Sequence, residues 1–385
     1  MPTIQSRLPH IGTTIFTTMS RLAQQHGAIN LGQGFPSFQP HPDLITLITE
    51  AMVAGHNQYA PMEGLMTLRE AISSKNALCY GYQPDPVSEI TVCSGGTEAL
   101  FAAIATCITA PGDEVILLQP CYDSYGPAIL LNGGVPRYSD LLYPTYSPDW
   151  DHIRHLINPK TKAIVINTPH NPTGTIWSAD DIKTLGTLAE AHDLIIIADE
   201  VYEHITFDEQ RHESILRYPD LYQRAIVIHS FGKTYHATGF KMGYAIAPAH
   251  LTAELRKIHQ YLTFASFTPL QHALATFLGQ TERYLGLAAF YQTKRDQMLQ
   301  AFAPTPLVPL ACEGTYFQLY DYSALSDLPD KEFAIELTTA GGVTGIPVSS
   351  FYHQGNAQRL LRFCFAKDEA LMQAAAEKIM AYASR

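Results

Sequence analysis

The stretch Ser230-Phe231-Gly232-Lys233-Thr234-Tyr235-His236-Ala237-Thr238-Gly239-Phe240-Lys241 follows an apolar run of strand length, Ala225 to His229. It therefore presents one lysine in a small, polar, glycine-flanked loop at a strand's carboxyl end. Two similar units precede it. Leu194-Ile195-Ile196-Ile197-Ala198-Asp199-Glu200-Val201-Tyr202 delivers an acid and then a tyrosine. Ala163-Ile164-Val165-Ile166-Asn167-Thr168-Pro169-His170-Asn171-Pro172-Thr173-Gly174 is a buried-type strand that ends in a polar turn. In an open parallel sheet such loops converge on one crevice, so Asn171, Asp199, Tyr202 and Lys233 are expected to share one ligand.

Two chemistries compete for this pattern. Apolar residues before Asp199-Glu200 suggest a magnesium-binding strand, and Gly232-Lys233-Thr234 suggests the end of a phosphate loop. That loop needs a glycine five positions before Gly232, where Val227 stands inside a strand, so the backbone cradle cannot form. The second chemistry is that of pyridoxal phosphate. It requires a lysine amine for the cofactor's aldehyde, an acid for the pyridine nitrogen, donors for the ring oxygen and an anion site for the phosphate. Each requirement has a candidate here.

Asn171-Pro172-Thr173-Gly174, Asp199-Glu200-Val201-Tyr202 and Ser230-Phe231-Gly232-Lys233, in this order, resemble the fold-type-I aminotransferases of classes I and II over nearly the whole chain. Asn30-Leu31-Gly32-Gln33-Gly34-Phe35-Pro36 and Arg362-Phe363-Cys364-Phe365-Ala366-Lys367 resemble the kynurenine aminotransferase branch. Gln58-Tyr59-Ala60-Pro61-Met62, Lys233-Thr234-Tyr235-His236 and His259-Gln260-Tyr261-Leu262-Thr263-Phe264 are similar to its bacterial methionine aminotransferases.

The resemblance implies an α/β fold: a large domain with a mostly parallel seven-stranded sheet flanked by helices, plus a smaller α+β domain. It implies an amino-terminal arm over residues 1–45, a cofactor domain over 46–285 and a small domain over 286–385. Lys233 is implied to hold pyridoxal 5'-phosphate and move the substrate's α-proton, for which its amine must be neutral. Asp199 is implied to keep the pyridine nitrogen protonated, while Tyr202 and Asn171 reach the ring oxygen and Tyr122 stacks on the ring. The loop Gly95-Gly96-Thr97 opens a predicted helix, and its free N–H groups suit a phosphate. Ser230 and Lys241 complete that site by resemblance, Lys241 standing where many relatives carry arginine. Arg362 is implied to grip the substrate carboxylate through two parallel hydrogen bonds, with the backbone of Gly34 as a second contact and Asn171 nearby. Tyr59 is implied to reach the phosphate of a second subunit, which makes the protein a homodimer.

Composition agrees with an enzyme of this kind. A chain of 385 residues with 46% hydrophobic and 16% charged residues suits a large buried core in two domains. The net charge of −11 argues against a general nucleic-acid or anionic-membrane surface. The six cysteines form no CxxC pair, so no metal site is expected, and a reduced, cytoplasmic setting fits. No run approaches the roughly 18 apolar residues of a membrane span.

From about Glu89 the chain alternates strands and helices: Glu89 to Ser94, Thr97 to Ile108, Asp113 to Leu118, Lys162 to Asn167 and Ala179 to His192. Thr315 to Tyr322 reads as a half-exposed strand, Arg359 to Phe365 as another, and Asp368 to Tyr382 as a helix.

Ile15, Phe16, Tyr59, Met62, Tyr122 and Phe351 are expected to wall an uncharged pocket. Without a second arginine for a dicarboxylate, methionine is the expected donor, followed by aromatic residues. Kynurenine or glutamine transamination and cysteine-conjugate β-elimination are alternatives within the same cofactor chemistry. A non-catalytic, cofactor-binding regulator is the alternative from another class. Its extra DNA-binding domain has no room here, and the charge is acidic.

Overall fold

Apolar strands that alternate with helices from Ile90 to Ile246 build one seven-stranded sheet in the computed structural model, which describes residues 4–385. The first three residues of the expected arm, 1–45, lie outside the described residues. The strand order is Ile90–Cys93, Gly243–Ile246, Ala225–Ser230, Ile195–Asp199, Thr161–Asn167, Glu114–Gln119 and Val135–Asp140. Only Gly243–Ile246 runs against its neighbours; the other pairings are parallel.

Burial on both faces explains the unbroken apolar runs, and Ile116, Ile164, Ile196 and Val227 are fully buried. Helices Gly96–Cys107 and Ala249–Leu262 cover one face, while Ala179–Ala191 lies over the other. Strand Val135–Asp140 was not expected from the sequence. It is an edge strand that carries Pro136 and Arg137 and keeps most of its residues partly exposed, so it lacks the apolar signature of its neighbours.

A second sheet of four antiparallel strands follows, in the order Ile346–Pro347, Leu360–Cys364, Phe317–Asp321 and Val308–Pro309. The expectation of a half-exposed strand over Thr315 to Tyr322 is corrected here: Phe317, Gln318, Leu319 and Tyr320 are all buried. Phe302 of the long helix Leu287–Phe302 covers Tyr320 at 5.3 Å. The polar Gln318 is satisfied internally, its amide donating to the carbonyls of Leu310 and Leu319.

Helix Ile15–His26 starts at Thr14, whose hydroxyl accepts the Thr17 N–H, and ends at Gly27 with φ 61°. It packs on helix Asp330–Thr339, and strand Ile29–Asn30 pairs in parallel with Val343–Thr344. Helix Pro42–Val53, which contains residue 45, packs instead on Thr268–Phe277. The chain thus returns Gln33 and Gly34 to the junction between the two sheets.

Candidate active site

The carboxyl ends of the central strands open into a cavity of about 270 Å³, lined by Asn171, Asp199, Tyr202, Lys233 and Arg362, with Tyr122 and Phe16 also on its wall. Asn167 fixes two of the contributing loops. Its side-chain amide donates to the Asp199 carbonyl at 2.8 Å, and its side-chain oxygen accepts the Asn171 N–H at 2.8 Å. Residues read from separate motifs are thereby held together.

Asp199 is buried, and burial raises its carboxyl from 3.8 to about 6. The Tyr125 hydroxyl, which donates to it at 2.5 Å, and the Val201 N–H at 3.3 Å oppose that rise, as do the charges of Lys233 and His229. Lys233 is the complementary case. Burial lowers its amine to about 8, with Arg362 and Lys241 acting in the same direction and Cys364 and Asp199 against. Its Nζ donates to the Tyr316 hydroxyl at 3.0 Å and to the Gly34 carbonyl at 3.5 Å. A lysine so placed is about one-tenth neutral at pH 7, on the order of a hundredfold more than a free lysine.

Arg362 is almost completely buried, stacked 3.8 Å over the Phe317 ring with Phe351 and Phe16 at 5.0 and 5.3 Å. It donates to the Asn171 side-chain oxygen at 2.6 Å and to the Gly32 carbonyl at 3.0 Å, and burial lowers it to about 10. Its Nε is buried without a hydrogen-bond partner. An unmet guanidinium donor beside a cavity is suited to an incoming carboxylate. Replacing Arg362 with lysine keeps the charge and loses the fork. With Arg362 gripping an amino-acid carboxylate, as the resemblance implies, KM for that substrate is expected to rise about 10- to 100-fold with kcat less affected. Steady-state kinetics with both substrates checks this, and an unchanged KM contradicts it.

At the opposite end, Gly95 adopts φ 88° and opens helix Gly96–Cys107, which no side chain caps. A Cβ at Gly95 would stand 3.4 Å from Nζ of Lys241, and one at Gly96 would stand 3.1 Å from Val201. Glycine keeps this space open between the helix N-terminus and a cation. Thr97, Ser230 and Lys241 line the same end of the cavity. The donor set suits a phosphate group.

Tyr59 does not enter this cavity. It is 84% exposed and meets the edge of Phe264 at 5.5 Å. Of the expected pocket walls, Ile15, Met62 and Phe351 are absent from the lining, Phe351 standing behind it against Phe16 at 5.8 Å. Ile15 packs on the main core instead, and the Met62 carbonyl is tied to the His259 ring at 3.0 Å. Sequence reasoning missed Gln33, Asn167, Val201, Thr238, Met242 and Phe317 as lining residues. It also missed Tyr125 and Tyr316, which hold Asp199 and Lys233. Tyr125 lies three residues beyond Tyr122, across the turn that opens helix Tyr125–Leu131, which was a usable signal; Tyr316 carried none.

The fold and this site define a class, and comparison with known proteins agrees. Residues 26–379 match the family described as aminotransferase class I and II, so the chain belongs to that family, whose members are pyridoxal-phosphate enzymes. It is 50% identical to methionine aminotransferase from Escherichia coli over 97% of both chains. The solved structure of YbdL from Escherichia coli, reported with a methionine aminotransferase function, superimposes with a TM-score of 0.96 over 99% of this chain and 100% of that one. Kynurenine–oxoglutarate transaminase from Dictyostelium discoideum is 34% identical, with 96% of this chain and 94% of that one covered.

Proposed function

We propose that this chain is a pyridoxal-phosphate aminotransferase that passes the amino group of methionine, and of aromatic or other uncharged L-amino acids, to a 2-oxo acid. The carrying observation is that a lysine of lowered basicity, a buried carboxylate and an arginine with an unmet donor share one cavity. The 50% identity to methionine aminotransferase supports methionine as the donor.

The residues fit the cofactor: glycines keep a cradle open at a helix N-terminus beside Lys241, and the buried Asp199 lines the same cavity. Bound there, pyridoxal phosphate supplies the electron sink for breaking the α-C–H bond. Gly95, Gly96, Thr97, Ser230 and Lys241 would hold the phosphate, Asp199 the pyridine nitrogen, Asn171 and Tyr202 the ring oxygen, and Tyr122 the ring face. Arg362 orients the substrate carboxylate with Gly34 and Asn171, and Phe16 walls the space for its side chain. Lys233 takes the α-proton on its neutral amine and returns it on the other side of the reacting bond. Water supplies the carbonyl oxygen of the departing keto acid, the amino group stays behind on the cofactor, and a 2-oxo acid enters against the same arginine to run the sequence in reverse and release that water.

The working form in this reading is a cytoplasmic homodimer in which Tyr59, exposed in the single chain, completes the partner's phosphate site. The arm, large domain and small domain are assigned to 1–45, 46–285 and 286–385. The second boundary coincides with the break at Gly286, between helices Glu282–Leu285 and Leu287–Phe302.

A panel of amino donors and 2-oxo acids with added cofactor tests the proposal. Methionine should give the highest kcat/KM, aromatic donors should follow, and double-reciprocal lines should be parallel. Preference for aspartate, or no turnover of methionine, defeats the substrate assignment.

A further inference from the structure

We infer that the Tyr316 hydroxyl positions the free amine of Lys233 for proton abstraction from the substrate's α-carbon. This rests on the reading of Lys233 as the proton-transferring base.

Tyr316 is fully buried, and its hydroxyl has two neighbours of different kinds. It donates its one proton to the Gly34 carbonyl at 2.7 Å, which leaves only its oxygen lone pairs to face Nζ of Lys233 at 3.0 Å. The lysine must therefore be the donor in that contact. Its other contact, the Gly34 carbonyl at 3.5 Å, is also an acceptor. A neutral amine whose N–H bonds are turned toward these two oxygens directs its lone pair away from both. That is the orientation a base needs.

Both acceptors are uncharged. They orient the amine while favouring its ammonium form far less than a carboxylate at this distance would. The lowering of Lys233 to about 8 agrees with such surroundings.

The tyrosine itself has little freedom. Its ring meets Tyr202 edge-on at 5.2 Å, Tyr291 at 5.7 Å and Phe317 at 4.8 Å. Thr315 precedes it at φ 66°, a region that β-branched residues seldom enter, and the Thr315 N–H is tied to the Ile205 carbonyl at 3.0 Å. The bend delivers Tyr316 between the lysine and the Gly34 loop.

In the step itself, the α-proton passes to the Nζ lone pair and makes an ammonium, while the C–H electron pair stays with the substrate and its bound cofactor. The ammonium gives that proton up on the cofactor's side and is again a neutral amine. Tyr316 acts on the substrate only through Nζ of Lys233, which it holds at 3.0 Å, so it is a positioning residue.

Tyr316→Phe keeps the ring and removes the hydroxyl. With holoenzyme and methionine, kcat should fall about tenfold, the scale of one hydrogen bond to a charged or charging amine, while KM stays within about twofold. The isotope effect with α-deuterated methionine should rise, because proton transfer becomes more rate-limiting. That effect is a ratio measured on active molecules, so partial misfolding cannot imitate it. In the cofactor-free chain, Lys233 labelled by reductive ¹³C-methylation should titrate lower in Tyr316→Phe than in wild type, because an acceptor that favours the ammonium has gone. An unchanged isotope effect with unchanged kcat, or a change in KM alone, overturns the role given to Tyr316. Wild-type protein that transaminates no amino acid overturns the reading of Lys233 itself.

Discussion

Lys233→Ala lowers transamination by on the order of 10⁴-fold or more, the largest loss expected from any single substitution in this chain. The estimate follows from what surrounds the amine. Neither other basic side chain that lines the cavity can take over: Arg362 is engaged with Asn171 and Gly32, and Lys241 lies beside Gly95. Tyr316 cannot substitute, since burial raises its phenol well above the usual range and its proton is committed to Gly34. The variant should still bind the cofactor, because the cup at Gly95, Gly96 and Thr97 is untouched, but the bound cofactor's visible spectrum should differ from that of wild type. A small primary amine added to the assay should restore part of the activity by entering the space beside Tyr316. Keto-acid formation and the visible spectrum are measured together, and normal turnover by the variant would sink the assignment of Lys233.

Asn171, Asp199 and Lys233 were legible in the sequence because each follows its own apolar strand by a few residues, so local pattern and the topology of a parallel sheet sufficed to bring them together. The glycines at 95 and 96 were legible for the same reason. Tyr316 was not: its partners Lys233 and Gly34 lie 83 and 282 positions away, and nothing in Gly314-Thr315-Tyr316-Phe317 distinguishes a site residue from a core aromatic. Strand Val135–Asp140 escaped notice because an edge position needs no apolar run. The alternation at Phe317–Asp321 misled because period-2 patterning normally marks one wet face, whereas Gln318 finds its partners on backbone carbonyls. Arg362 could be identified by resemblance alone. Its role in the geometry depends on Asn171 and on rings from three separate segments, at Phe16, Phe317 and Phe351.

Asp199→Asn should make the cofactor-free chain more stable at pH 7 while lowering turnover on the order of 10³-fold, the scale of removing one preorganised charge from a reaction site. The sign follows from the raised carboxyl. Below 3.8 Asp199 is protonated in both folded and unfolded chains and contributes no difference. Between 3.8 and about 6 the folded chain keeps a proton that the unfolded chain has released, so stability falls as pH rises through that window. Above it the folded chain carries a buried anion whose cost, for a rise from 3.8 to about 6, is about 3 kcal/mol. A carboxamide removes that cost. It still accepts from Tyr125 with its oxygen but turns an amino group toward the Val201 N–H, giving back about 1 kcal/mol. The net gain is about 2 kcal/mol, a few degrees in Tm, and it should shrink toward zero as the pH is lowered to 4. With cofactor bound, the order should reverse, because the pyridine nitrogen pairs with the wild-type carboxylate and not with the amide. Denaturant titrations of both proteins, with and without cofactor at pH 7 and pH 4, read all of this directly. A cofactor-free Asp199→Asn chain no more stable than wild type at pH 7 would show that the buried anion is not the strained element of this site.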